Sequence, residues 1–236
     1  MSLYTHDTIR TMQILQLAVA RGFTRWTGGS VRYDRAEALL SKFEQLYAVN
    51  PTRAQDMRLR RAEHARSRLV LHAQDHGIHF AWWLLVSQGA GIVVQRETLA
   101  DATDRKQRIT LGTWELLRVP KRQTQEAVAW TWRLTEQDFR DRLAHACAIA
   151  TYENAQQAQE LMGAMAKWPG YHGISQQRQA IWDAMLAARR AAGRRDALER
   201  PPHPPWPRLL ELRGHGVPLD IVVERMRLAV QGDPNR

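Results

Sequence analysis

Four histidines lie close together in the first third of the sequence and could ligate a metal. His64, His72, His76 and His79 fall between residues 64 and 79, and Asp75 is the nearest carboxylate. A metal centre needs three or four ligands that converge, each oriented by a further hydrogen bond. His76 and His79 flank a predicted turn, and His72 precedes it on the same predicted hairpin. Convergence of His72, His76 and His79 is therefore left open, and no metal ligand is assigned.

A metal-dependent DNA-nicking enzyme is the second alternative function. Replication initiators and relaxases place two histidines around one apolar residue, so that both point from the same strand face to a metal. The sequence from His76 to His79 contains one residue too many for this spacing. Tyr152, on the helix after the predicted sheet, would be the nucleophile of such an enzyme.

Other catalytic motifs are missing from the sequence. It has no Walker loop, no Gly-x-Ser-x-Gly elbow and no His-Glu-x-x-His pair. Its single cysteine, Cys147, lies in an apolar helical stretch, which is typical of a buried thiol. We therefore predict a non-enzymatic protein without a cofactor and with no catalytic residues.

Positive charge is the strongest functional signal. Lysine and arginine number 34 against 24 acidic residues, which gives a net charge of +10. Such a surface attracts polyanions, and nucleic acid is the commonest of these in a cell. Three basic clusters are predicted to bind it, DNA rather than RNA, through Arg53, Arg58, Arg60, Arg61, Arg105, Lys106, Arg108, Lys121, Arg122, Arg189, Arg190, Arg194 and Arg195. Two plainer explanations are open: coding bias towards arginine, and cations that complement a helix dipole at Arg189 and Arg190.

Nine tryptophans allow two interpretations. Aromatic side chains on a sheet can stack unpaired bases, or they can fill the core beneath helices. Trp130 and Trp132 share a strand face with Val128 and Leu134, so we favour the core for most of the indoles. Trp82, Trp83 and Trp114 lie on the other predicted strands.

Helices are predicted at both ends of the chain. Asp7 caps the first, Gly22 ends it, and Thr27–Ser30 follows as a loop. Asp34 and Glu37 suggest a capping box. The third helix is expected to begin at Asn50-Pro51, because proline is favoured in the first turn.

Strands are predicted in the middle of the chain. Residues 68–73 and 79–87 form a hairpin, residues 92–94 a short strand, and residues 108–119 and 127–134 two further strands. Together they predict an antiparallel sheet of four or five strands.

A long helix, capped at Thr135, is expected to follow the sheet and run to Lys167. Another begins at Ser175, and the last begins at Pro218. The order of helices, sheet and helices indicates the α+β class.

Three regions follow from this order. Residues 1–66 form a helical N-terminal region, residues 67–170 hold the sheet and the long helix, and residues 171–236 form a helical C-terminal region with a proline-rich linker at 201–207. All three could belong to one domain. No apolar run is long enough to span a membrane, and no signal peptide is recognisable, so a cytoplasmic protein without membrane insertion is predicted. The oligomeric state has no sequence signal.

Three tryptophan-containing segments carry a resemblance to a known group of proteins. Trp82–Val86, Trp114–Arg118 and Trp130–Leu134 resemble uncharacterised accessory proteins of integrating conjugative elements and broad-host-range conjugative plasmids, over about residues 68–145. The resemblance implies a setting on mobile DNA in a Gram-negative bacterium, and it transfers no catalytic residue.

Together, charge and resemblance predict an accessory protein of a mobile genetic element that binds nucleic acid through its basic clusters. The alternative is an inhibitor or regulator of conjugative transfer (fertility inhibition), whose basic surface meets an acidic coupling or secretion protein.

Overall fold

The chain divides into two compact units. A computed structural model describes residues 3–5, 7–49, 51–73, 78–121, 124–194, 196, 198–200, 219–220, 223–224 and 227–228, with the backbone alone at 3–5, 121 and 124–128. Unit 1 comprises Met1–Ile109 and Leu209–Arg236, and unit 2 comprises Thr110–Arg208. The division at residue 109 falls inside the segment 67–170 that the sequence pattern groups together.

Unit 1 is built on a five-stranded sheet. The strand order is β1-β3-β4-β2-β5, with β1 parallel to β3 and the other neighbours antiparallel. Its elements in chain order are β1 Leu3–Thr5, α1 Thr8–Ala20, β2 Arg25–Arg32, α2 Ala36–Tyr47, α3 Arg53–Arg61, β3 Ser67–Ala73, β4 His79–Val86, α4 Ile92–Arg96 and β5 Ala100–Asp101.

The core of unit 1 lies against β3 and β4. Phe43 of α2 packs with Leu69 and Leu71 of β3 and with Phe80 and Leu84 of β4. Burial of these side chains removes apolar surface from water, which is the main favourable term in folding. Six residues of the C-terminal segment (219, 220, 223, 224, 227 and 228) are described as helical, as predicted after Pro218, and one of them, Leu219, is buried in this core.

In its described residues, unit 2 combines a three-stranded antiparallel sheet with three helices. The strand order is β6-β7-β8. The elements are β6 Thr110–Leu111, β7 Trp114–Lys121, β8 Thr124–Leu134, α5 Glu136–Tyr152, α6 Ala155–Ala166 and α7 His172–Ala191. Trp132 of β8 is fully buried, and Met162, Ile181 and Met185 form a core between the helices.

The α+β class is confirmed, and so are several predicted elements. The Asp7 side chain accepts hydrogen bonds from Ile9 N and Arg10 N, and Thr135 Oγ1 caps α5. The hairpin of β3 and β4 pairs in the expected antiparallel register. The expected single sheet is instead shared between two sheets, because residues 110–134 pair only among themselves in the described chain.

Thr27–Ser30 was wrongly predicted as a loop, since it forms the middle of β2. Gly29 lies opposite Trp82, and Gly28 opposite Trp83. A Cβ atom on Gly29 would lie 3.2 Å from the Trp82 ring, and one on Gly28 would lie 2.7 Å from Trp82 O. The glycines are therefore strand residues that leave room for indoles on the neighbouring strand, an aromatic–glycine pairing that stabilises sheets.

Residues 92–94 are also helical rather than extended, within the short helix α4. After this helix, Glu97 Oε1 accepts a hydrogen bond of 2.5 Å from the Tyr47 hydroxyl. Burial, followed by this contact with Glu97, raises the pKa of Tyr47 to about 12. The link holds the end of α4 beside α2, a tertiary contact that local periodicity does not encode.

Three helix boundaries differ from the prediction. Residues 33–35 form a 3-10 turn and α2 begins at Ala36 without a side-chain cap, so the Asp34–Glu37 capping box is wrong. The helix predicted to run to Lys167 ends at Tyr152, because Asn154 caps a new helix by accepting from Gln157 N. Helix α7 begins at His172, before Ser175.

Described helices include none with both the length and the apolar character needed to cross a bilayer. The proline-rich segment 201–207 lies outside the described residues.

Candidate nucleic-acid interface

The first basic cluster lies on α3, a helix fixed by a capping box. Thr52 Oγ1 accepts from Gln55 N at 3.3 Å, while Gln55 Oε1 accepts from Thr52 N at 2.8 Å. This cap places the helix start at Arg53, so Pro51 precedes the cap instead of opening the first turn. Basic residues at 58, 60 and 61 occupy the last turn, where they complement the negative end of the helix dipole.

All four predicted arginines of α3 are exposed. At 100° per residue they spread over roughly 160° of the helix surface, with Leu59 on the opposite side. None of their guanidinium groups forms an ion pair or hydrogen bond with another described residue. The one carboxylate of the helix, Asp56, pairs with Arg66 at 3.3 Å. The structure therefore presents Arg53, Arg58, Arg60 and Arg61 together on one accessible surface, which we call the α3 arginine surface.

Beside the α3 arginine surface lies a cavity of about 330 Å³. Its basic and acidic lining groups are Arg21, Arg53, Arg68 and Asp56. The remaining lining residues are Ile14, Leu17, Ala18, Val49, Pro51, Leu69 and Val70.

Arg68 is the most enclosed cation of this cavity. Its Cζ atom lies 4.6 Å from the centre of the Phe23 ring, and the Cζ atom of Arg66 lies 5.0 Å from the centre of the same ring, so both cations contact it. Burial lowers the pKa of Arg68; Asp56 opposes this shift, and Arg21 and Arg66 add to it. The Arg68 guanidinium forms no hydrogen bond with another described residue.

Neither Arg68 nor Arg21 was among the predicted binding residues. A signal for Arg68 did exist, because it places a charge in β3 directly before the apolar residues Leu69–Leu71. An arginine in a strand that is otherwise buried needs an explanation. Arg21 has no such signal, since it is simply the residue that ends α1.

The second predicted cluster is split between the two units. Arg105 and Lys106 lie exposed in the loop after β5, and Arg108 is half-buried and engaged by another group. Lys121 belongs to β7 of unit 2, and Arg122 lies outside the described residues. In unit 1 this cluster thus contributes two exposed cations.

The third cluster is largely structural. Arg189 is 3% exposed and pairs with Asp196, and its Nη1 lies 3.4 Å from Ala150 O and 3.5 Å from Glu153 O. Arg194 donates to Thr151 O and Tyr152 O at 3.0 and 2.8 Å. These guanidinium groups satisfy the carbonyls at the end of α5, which have no partner within the helix.

Arg189 therefore has to be removed from the predicted binding set, because a buried guanidinium cannot reach a polyanion. Arg190 is exposed, and Arg195 lies outside the described residues.

Among the described residues, the tryptophans and histidines do not form a second site. Trp83 and Trp132 are buried, and Trp82, Trp114 and Trp130 are partly buried, which agrees with a core role. His72 is buried and its Nδ1 lies 2.9 Å from Thr11 Oγ1.

His76 lies outside the described residues, so convergence with His72 and His79 is untested. Within the described chain, no group of three potential metal ligands is present.

Known proteins give no family assignment for this arrangement. No protein-family model matches the sequence. Comparison with curated proteins and with solved structures finds no match either. The site must therefore be interpreted from its own geometry.

Proposed function

We propose that the protein is a non-enzymatic, cytoplasmic accessory factor of a mobile genetic element and that it binds nucleic acid, DNA in particular, through the α3 arginine surface. The observation that supports this is the exposure of four arginines on one helix without an ion-pair partner among the described residues. The mobile-element setting rests on the resemblance of the three tryptophan-containing segments.

The dimensions and chemistry of α3 fit a nucleic-acid backbone. An α-helix with its side chains is about 10–12 Å in diameter, close to the roughly 12 Å width of the DNA major groove. Each guanidinium can bind a phosphate with two parallel hydrogen bonds. Charge-assisted contacts of this kind supply affinity without reading sequence.

Sequence selectivity is expected to be low. The residue type in α3 that could read adenine is an amide, and the amide of Gln55 is held in the capping box by Thr52. The arginines of α3 can bind phosphates, which carry no sequence information, and guanine bases. We therefore expect binding to depend far more on salt than on base sequence.

Replacing Arg58, Arg60 and Arg61 with Gln should weaken binding to a 30-base-pair duplex at least tenfold at 50 mM salt. The slope of log affinity against log salt should also fall, by about 0.9 for each phosphate that the variant no longer neutralises. Gel-shift titrations at 50 to 200 mM salt measure both quantities. Arg53 is left intact so that the cavity lining is unchanged.

A matched control removes the same charge elsewhere: Arg35→Gln, Arg118→Gln and Arg140→Gln, all exposed. This variant should bind like the wild type. If it loses as much affinity as the α3 variant, net charge rather than the α3 arginine surface controls binding. No gel shift of the wild type at low salt would refute the proposal.

An acidic protein of a conjugation apparatus would use the same arginines. Capture from cells that carry such an apparatus distinguishes the two partners. A stoichiometric protein that survives nuclease treatment and is absent with the α3 variant would replace nucleic acid as the partner. Co-purifying nucleic acid supports the proposal.

A further inference from the structure

The cavity beside α3 differs in chemistry from the α3 arginine surface. Helix α1 contributes Ile14 and Leu17 to its wall, and β3 contributes Leu69 and Val70. The phosphate groups that arginines bind in nucleic acid have no apolar part to place against such a wall. The cavity volume of about 330 Å³ falls within the range of small-molecule sites, which are mostly apolar with a few well-placed polar groups.

Charge in the cavity is unbalanced towards the positive. Three arginines line it with one carboxylate, Asp56, and that carboxylate is already paired with Arg66 outside the lining. Asp56 offsets part of the Arg68 charge, but no described group accepts a hydrogen bond from the Arg68 guanidinium. A partly desolvated cation of this kind is stabilised by an anion that enters beside it.

Phe23 fixes the position of the Arg68 head group. The Arg68 Cζ atom lies 4.6 Å from the centre of the Phe23 ring, and Arg68 also lines the cavity, so N–H donors that do not face the ring are left for an acceptor. Stacking also reduces the side-chain entropy that binding would otherwise cost. The cavity therefore combines an apolar wall with a pre-positioned anion-binding fork.

We propose that this cavity is a binding site for a small organic anion, in which a carboxylate or phosphate group binds Arg68 and an apolar body packs against α1 and β3. Arg21 and Arg53, both exposed at the lining, add favourable charge. Arg53 is shared with the α3 arginine surface, but Arg68, which carries the proposed contact, is not part of that surface, so the two sites can be tested separately.

Calorimetric titration of the full chain with four probes tests the site. Phenyl phosphate and benzoate carry both features, benzyl alcohol lacks the charge, and inorganic phosphate lacks the apolar body. At least one aryl anion should bind about tenfold or more tightly than benzyl alcohol and inorganic phosphate. The tighter aryl anion identifies the head group. Equal binding of inorganic phosphate would overturn the apolar part of the proposal, and no binding of either aryl anion would overturn all of it.

Two variants locate the binding. Arg68→Met removes the fork and should weaken aryl-anion binding at least tenfold, while Arg35→Met on an exposed site should not. Leu17→Trp fills the cavity and keeps every charge, so it should also abolish binding, and it serves if Arg68→Met does not fold. Unchanged binding in a folded variant of either kind refutes the site.

Duplex binding distinguishes failure of this site from failure of the proposed function. Arg68→Met should leave the gel shift intact. The Arg58, Arg60 and Arg61 variant should bind the aryl anion normally.

Discussion

Replacing Arg189 with Ala should destabilise the protein by about 2–4 kcal/mol. The guanidinium is buried and contacts Asp196 and the carbonyls of Ala150 and Glu153, so its removal deletes charge-assisted hydrogen bonds and leaves carbonyls at the end of α5 without donors. It also removes the hydrocarbon stem from a packed site. Urea denaturation followed by circular dichroism measures the decrease in stability.

The adjacent residue provides the control. Arg190 is exposed and has no described ion-pair partner, and Arg190→Ala removes the same charge from the same turn of α7. Its effect should stay within about 0.5 kcal/mol, as for other surface positions. Equal effects of the two substitutions would show that the buried contacts of Arg189 contribute nothing to stability.

Lowering the pH should reduce the difference in unfolding free energy between wild type and Arg189→Ala. The hydrogen bond from Arg189 holds the pKa of Asp196 below its ordinary value. A carboxyl whose pKa is depressed by folding stabilises the protein fully above its unfolded pKa, about 3.9 for Asp. That contribution is lost as the pH falls through the lower, folded pKa. The unfolding free energies of wild type and Arg189→Ala, measured at pH 7, 4 and 3, should therefore converge as the pH falls. Asp196→Asn, which has no carboxyl at this position, should lose the same part of the pH dependence.

The contrast between Arg189 and Arg190 shows where sequence reasoning ends. Both were predicted to bind nucleic acid, because adjacent arginines have the same charge and propensity. Their roles differ because one faces the end of α5, 36 to 39 residues earlier in the chain. Long-range packing of this kind leaves no local pattern. The alternative that these cations complement a helix end agrees with the position of both in the last turn of α7, and Arg189 in addition contacts carbonyls at the end of α5.

Local patterns succeeded where the physics is local. Alternation predicted β3 and β8, and a nearly continuous apolar run predicted β4. Side-chain caps predicted the starts of α1 and α5. All these signals depend on neighbours a few residues away. The loop prediction for Thr27–Ser30 failed because Gly28 and Gly29 lie opposite Trp83 and Trp82 on β4, a strand more than fifty residues later in the chain. The α3 arginines could be found from the sequence because they lie within nine residues of one another. The cavity could not be found in this way, because its wall combines α1, β3 and the segment before α3.

The connection between α3 and the sheet depends on Gly89. Ala65 N donates to Ala90 O at 2.8 Å, and Ala90 N donates to Glu63 O at 3.2 Å. These bonds join the residues after α3 to the residues after β4. Gly89 lies at φ +134°, and a Cβ atom there would lie 2.5 Å from Ala65 N and 2.6 Å from Glu63 O. Backbone atoms on both sides leave no flexible group to move aside.

Gly89→Ala should therefore cost about 3 kcal/mol or more, from backbone strain at positive φ and from overpacking. Gly91→Ala is the matched control, since Gly91 has φ +139° but no atom within 4 Å of its Cβ position. It should cost only the strain, about 1–2 kcal/mol, so the difference in urea denaturation isolates the steric effect. Because Gly89 fixes the chain that leaves α3, Gly89→Ala should also weaken duplex binding in gel shifts, while Gly91→Ala should not. Equal stability of the two variants would mean that residues 63–65 can move away from the sheet at no cost, and α3 would then have no fixed position from which to present its arginines.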